Sequence, residues 1–163
     1  MTNNKILILG LLFTVGFTAA LFLSGGEKSE QQVPTVEEGK LEVVMYKNEG
    51  CQCCTKWAAQ MNEAEFAVIE KPVPNLGEIK AENGISRELA SCHTAFVDGY
   101  IVEGHVPIED VERLLEERPD AIGLTVPGMP IGSPGMEVPG REPDNYDVLL
   151  IAKDGSTTVF ASH

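Results

Sequence analysis

Positive charge is scarce in this chain: 12 lysines and arginines stand against 25 aspartates and glutamates, a formal net charge of −13. Attraction to phosphate needs the opposite sign, so the balance argues against nucleic acid and anionic lipid as partners. Cations are welcome on such a surface, although acidic residues also serve simply to keep a domain soluble. Charge of either sign is missing altogether from Ile6 to Ser24. No cysteine follows that run closely, which argues against a lipid-modified N-terminus. A solenoid period is also missing; only a local echo of Pro-Gly recurs, in "PGMP", "SPGM" and "VPG".

The uncharged run is long enough, as a helix, to cross most of a bilayer's hydrocarbon. Residues 1–24 therefore read as an N-terminal membrane anchor or signal peptide. A cleavable signal has a shorter apolar centre and a small-residue cleavage site, to which Thr18 to Ala20 is a poor match, so an uncleaved anchor is favoured. Lys5 and the terminal amine should stay cytoplasmic, which places everything after Ser24 outside the cytoplasm. Residues 25–40 are polar without an apolar period and read as a flexible linker. The folded domain is then 41–163, long enough to bury an ordinary core without needing disulfides to fold.

Within that domain "LEVVMY" (Leu41 to Tyr46) reads as a buried strand, bounded by "NEG". Cys54 to Ala64 places Trp57, Ala58, Met61 and Ala64 on one helical stripe, and "FAVIE" reads as a second strand. Pro72 and Pro74 interrupt the chain, and Asn75 to Asn83 suits a short helix stopped by Gly84. "TAFVDGYIVEG" is a hairpin turning at Asp98-Gly99. Pro107 suits a helix start, with Glu109 and Asp110 in the first turn and Val111, Leu114 and Leu115 inward. This order of elements predicts an α/β, thioredoxin-like sheet flanked by helices. An added Pro/Gly-rich loop, Ile122 to Asp144, and a C-terminal β-hairpin, "YDVLLIAKDGSTTVFA", lie beyond the minimal plan. The hairpin either extends the sheet or folds back over the loop.

Three of the four cysteines crowd into "NEGCQCCTKW", at the junction of the first strand and the first helix. Unpaired N–H groups and the helix dipole there favour thiolate over thiol. Cys51 and Cys54 form a C-x-x-C pair that closes a disulfide readily and is the candidate catalytic pair. Cys53 has no use in a plain dithiol switch, whereas three adjacent thiols suit a soft cation such as Cu(I). Cys92, with His93 beside it, precedes the third strand, which in this fold lies next to the first, so both should arrive near the C-x-C-C turn. Two structural disulfides, a structural zinc site and a thiol-disulfide oxidoreductase acting on protein substrates remain open on these residues.

His105, in "EGHVP", ends the hairpin and is either a turn residue or a ligand. His163 is terminal and is expected to be disordered. Met129 and Met136 project from "VPGMPIGSPGMEVPG", a long loop too apolar for disorder. Their thioethers either ligate Cu(I) or plug the loop into the core, the commoner use of methionine.

Taken together, "GCQCC", "SCHTAFVDGYIVEGHVP", "RLLEERPDAIGLTVPGMPIGSPGME" and the strand at Tyr146 to Leu150 resemble the CopG-like family, extracytoplasmic proteins of bacterial copper-resistance systems. The likeness covers Leu41 to His163. It implies Cu(I) held at clustered thiolates, in a multinuclear cluster or singly, and an oxidoreductase role in handling copper in the periplasm. The domain would be anchored to the inner membrane by residues 6–24 and would meet other periplasmic copper-handling proteins. Carried over by motif, the metal ligands are Cys51, Cys53, Cys54, Cys92, His93 and His105, with Met129 and Met136 as further candidates. Gln52 departs from the glycine expected in many relatives and adds bulk beside the thiols. Ordinary thioredoxins have a cis-proline just before the third strand; its absence here argues against a general disulfide reductase.

Overall fold

A computed structural model describes residues 39–163. The expected membrane segment and all but the end of the expected linker lie outside the described residues. Among the described residues no helix is long and apolar enough to cross a membrane.

Among the described residues seven strands and three helices follow one another as β1 (Leu41–Lys47), α1 (Gln52–Glu63), β2 (Phe66–Pro72), α2 (Leu76–Glu82), β3 (His93–Val97), β4 (Tyr100–Glu103), α3 (Ile108–Glu117), β5 (Ala121–Thr125), β6 (Asp147–Ala152) and β7 (Thr157–Ser162). They form one sheet in the order β2-β1-β3-β4-β5-β6-β7. β1 and β2 run parallel, β3 is antiparallel to β1, and β4 is antiparallel to β3. That is the thioredoxin-like plan expected from the element order.

Alternation explains β1: Val43, Met45 and Lys47 point to the buried face. α1 buries Cys54, Trp57, Ala58 and Met61, a helical stripe that lays the helix along the core. Leu114, Leu124 and Val126 close the same core from α3, β5 and the residue after it. A smaller cluster, Ile85, Ile101 and Ile151, lies apart from it.

Two expectations need correction. The loop expected to begin at Ile122 starts later, because Ala121–Thr125 is a strand, parallel to β4 and antiparallel to β6. His163 is ordered: its Nε2 lies 2.7 Å from Asp110 Oδ2, and its ring stacks on Tyr146 with centroids 5.2 Å apart. The C-terminal hairpin extends the sheet through β6 and β7.

Chain direction gathers one end of the sheet into a single place. β1 ends at Lys47, whose register partner in β3 is His93, the first residue of that strand. α1 begins just after β1, and β4 ends at Glu103, two residues before His105.

Candidate metal centre

Cys51 caps α1 in an extended conformation without a side-chain capping bond, so Cys53 and Cys54 fall in the first helical turn. Lys47, buried at the end of β1, steadies this turn. It donates to the Cys51 carbonyl at 3.5 Å and also contacts Thr55 and Glu70. Cys51 and Cys54 are joined as a disulfide, whereas Cys53 and Cys92 are free thiols.

The four sulfurs close a ring. Cys53 Sγ lies 3.6 Å from Cys51 Sγ and 3.8 Å from Cys92 Sγ, and Cys54 Sγ lies 3.5 Å from Cys92 Sγ. Imidazoles approach on the Cys92 side: His105 Nε2 is 2.8 Å and His93 Nδ1 3.5 Å from its sulfur. The structure thus gathers two overlapping groups, Cys51, Cys53, Cys54 and Cys92, and Cys92, His93 and His105, each with its ligand atoms within 4.8 Å of one another.

Gly104 is the local reason His105 can turn back. It sits at φ +74°, and a Cβ there would meet Ser91 Oγ at 2.3 Å and the Val126 carbonyl at 2.8 Å. Gly135 seats the Pro/Gly-rich loop in the same way. At φ +84° its Cα approaches the first turn of α1 so closely that a Cβ would meet the Cys53 carbonyl at 2.6 Å. Glu137 accepts from Gln60 and from the Gly135 N–H, both at 2.9 Å, and ties the loop to α1. The loop therefore covers the thiol end of the helix.

Burial sets the protonation states. It pushes Cys92 up to about 12, with Cys53 adding to the rise. Burial also lowers His105 and holds His93 well below its ordinary value, the latter helped by His105, Lys80 and Lys47. Both imidazoles are thus neutral, the state in which a ring nitrogen has a lone pair to offer. His93 Nε2 is buried with no hydrogen-bond partner among the described residues, a costly arrangement unless something else occupies it. Soft sulfur with neutral imidazole fits a thiophilic metal ion.

The two methionines are less engaged. Met129 is 53% exposed, next to Gly128, whose N–H bonds the Ala90 carbonyl close to Cys92. Met136 is half-buried beside Gly135. The charged residues under the site, Lys47, Lys80 and Glu103, escape a search for ligands. Their signal is a lone charge in or beside an apolar run, as in "YIVEG". Trp57 read as core, and it is, but its ring also lies 4.6 Å from that of His93.

A family model described as "Protein of unknown function, DUF411" matches residues 89–136, the stretch with Cys92, His93, His105, Met129 and Met136. No curated protein matches. Two solved structures, forms 2 and 1 of "Copper resistance protein copG", are 36% identical to the chain. Each covers 76% of this chain and 98% of its own, with TM-scores of 0.72 and 0.71. With that identity over nearly the whole of those proteins, the chain belongs to the CopG family of copper resistance proteins.

Proposed function

We propose that the domain is an extracytoplasmic Cu(I)-binding protein of copper resistance, redox-active through its cysteines. The observation that carries this reading is the convergence of four sulfurs, with two neutral imidazoles on the Cys92 side, in two groups that share Cys92. Copper is the cargo. An external dithiol that gives up two electrons and two protons, and is itself oxidised to a disulfide, opens the Cys51–Cys54 bond to two thiols, and with Cys53 and Cys92 the site then offers four soft donors. His93 and His105 assist from the Cys92 side, and Met129 and Met136 from the covering loop. Opening and closing of the disulfide couples thiol redox state to capture and release. Residues 6–24 tether the domain to the inner membrane, so that it works in the periplasm among other copper-handling proteins.

A second reading, thiol-disulfide exchange with protein substrates, draws support from the disulfide itself, seated at a helix N-terminus with Cys51 half-buried.

Anaerobic titration of the reduced chain with Cu(I) against a competing chelator, with thiols counted before and after, separates the two. Tight binding that protects all four thiols supports the copper reading. Weak binding with a readily cycled disulfide favours thiol exchange, as does equal copper retention by Cys53→Ser.

A further inference from the structure

We propose that Glu103 is a positioning residue that holds the Cys92–His93 limb in place before metal arrives, an inference that rests on the copper reading of this site. Its carboxylate is fully buried, yet it sits in a strand whose neighbours are apolar. Burying it is costly unless every oxygen is occupied, and here both are. Oε1 accepts from the Ser91 N–H at 2.6 Å and pairs with Lys80; Oε2 accepts from Thr94 Oγ1 at 2.7 Å. Lys80 in turn donates to Thr94 Oγ1 at 2.9 Å and to the His93 carbonyl at 3.4 Å.

These partners bracket the ligands. Ser91 lies immediately before Cys92 and Thr94 immediately after His93, so a single carboxylate grips both ends of the ligand pair. The backbone holds the two ends separately: His93 pairs with Lys47 of β1 and its carbonyl accepts from the Gly104 N–H at 3.0 Å, while Ser91 bridges to Gly128, and none of these bonds joins one end of the ligand pair to the other. Thr94 opposite Glu103 is the last pair of the β3–β4 register, and β3 itself begins only at His93. Beyond that point Glu103 reaches past the ladder to catch Ser91. Cys92 Sγ is thereby set 3.5 Å from Cys54 Sγ and 2.8 Å from His105 Nε2. Apolar residues of similar volume often serve stability as well as a buried ion pair does. A fully satisfied polar network instead fixes one geometry, which is what a preorganised ligand set requires.

The test compares the full-length chain with Glu103→Gln, Thr94→Val and the apolar pair Lys80→Met/Glu103→Leu. Three quantities are read on the reduced proteins: thermal unfolding, Cu(I) affinity against a chelator, and capture of Cys92 with Cys53 or Cys54 by a trivalent arsenical, which needs no copper. Loss of such supporting bonds typically weakens metal binding about 10- to 100-fold, and that loss is expected in Glu103→Gln, with a smaller one in Thr94→Val. The apolar pair separates positioning from folding. It should unfold near the wild-type temperature while Cu(I) affinity and arsenical capture both stay low.

Wild-type affinity and capture in the apolar pair would overturn the proposal. Should Glu103→Gln fail to fold, Thr94→Val and the apolar pair decide it. Wild-type protein that captures arsenical through Cys92 but holds no Cu(I) would defeat the copper reading, and the variants' capture rates would still decide the role of Glu103.

Discussion

His105 donates its Nδ1 hydrogen to the Pro134 carbonyl at 2.7 Å, and this bond decides which nitrogen faces the sulfurs. A carbonyl only accepts, so Nδ1 carries the hydrogen and Nε2 presents its lone pair 2.8 Å from Cys92 Sγ. The bond comes from the covering loop, so the loop orients this imidazole as well as shielding it. The Gly135→Ala substitution tests this. A methyl group there meets the Cys53 carbonyl and, at 2.9 Å, the Trp57 amide, in a backbone conformation that alanine adopts poorly. The loop must lift, at a cost of about 1–3 kcal/mol. Thermal unfolding should show that loss. Cu(I) competition should show a further weakening that Gly140→Ala, whose Cβ would enter open space, does not produce.

Trp57 is the only tryptophan in the chain, and its ring lies 4.6 Å from His93. Its indole N–H donates to the Val106 carbonyl at 2.9 Å, so the ring is held in place and its emission reports the imidazole side of the site. Emission should fall as Cu(I) is added and stop changing when the site is full. Cys92→Ser should blunt the response. Unchanged emission through a titration that protects all four thiols would place the metal on the thiols alone, away from His93.

How much of this was legible in the sequence follows from which signals are local. The β-rich run of β1, the α1 stripe, the Asp98-Gly99 hairpin and the Pro107 helix start are each written in a few adjacent residues, and all appear where expected. β5 was hidden because "AIGLT" is short, contains a glycine and runs directly into "VPG". Its partners lie at Ile101–Glu103 and Leu149–Ala152, distant in sequence. The thiols were legible from spacing, and Cys92 from the expectation that the third strand lies beside the first. The Pro134 carbonyl was not, because main-chain atoms leave no mark in a sequence. The order at His163 was likewise hidden, since it depends on Asp110 and Tyr146 meeting in three dimensions.

Tyr146 predicts an alkaline weakness. Burial pushes its phenol up to about 12, and Glu109, Asp110 and Glu137 add to the rise. In the unfolded chain the phenol ionises at its ordinary value of about 10. Between those two values the folded state binds the extra proton, so stability falls as pH rises, and it is undiminished below the lower value. The phenol is only half-buried, which moderates the effect. Tyr146→Phe has no proton to lose in either state. Denaturant unfolding across this range should show wild type losing more stability than the variant, and parallel losses would mean that Tyr146 is not responsible.

Loading the site must also release a proton from Cys92. With its thiol pushed up to about 12, Cys92 is protonated at neutral pH, and its S–H points to His105 Nε2. A metal ion binds the thiolate, so that hydrogen has to leave. His105 and His93 are both held neutral by burial, so neither retains it and it passes to solvent. Cu(I) affinity should therefore rise with pH, by about tenfold per unit for each proton released, throughout the range below the Cys92 value. Proton release measured during anaerobic Cu(I) addition at neutral pH should be one lower per chain in Cys92→Ser than in wild type. Identical counts would remove Cys92 from the coordination sphere. They would leave the metal on Cys51, Cys53 and Cys54, the cap and first turn of a single helix.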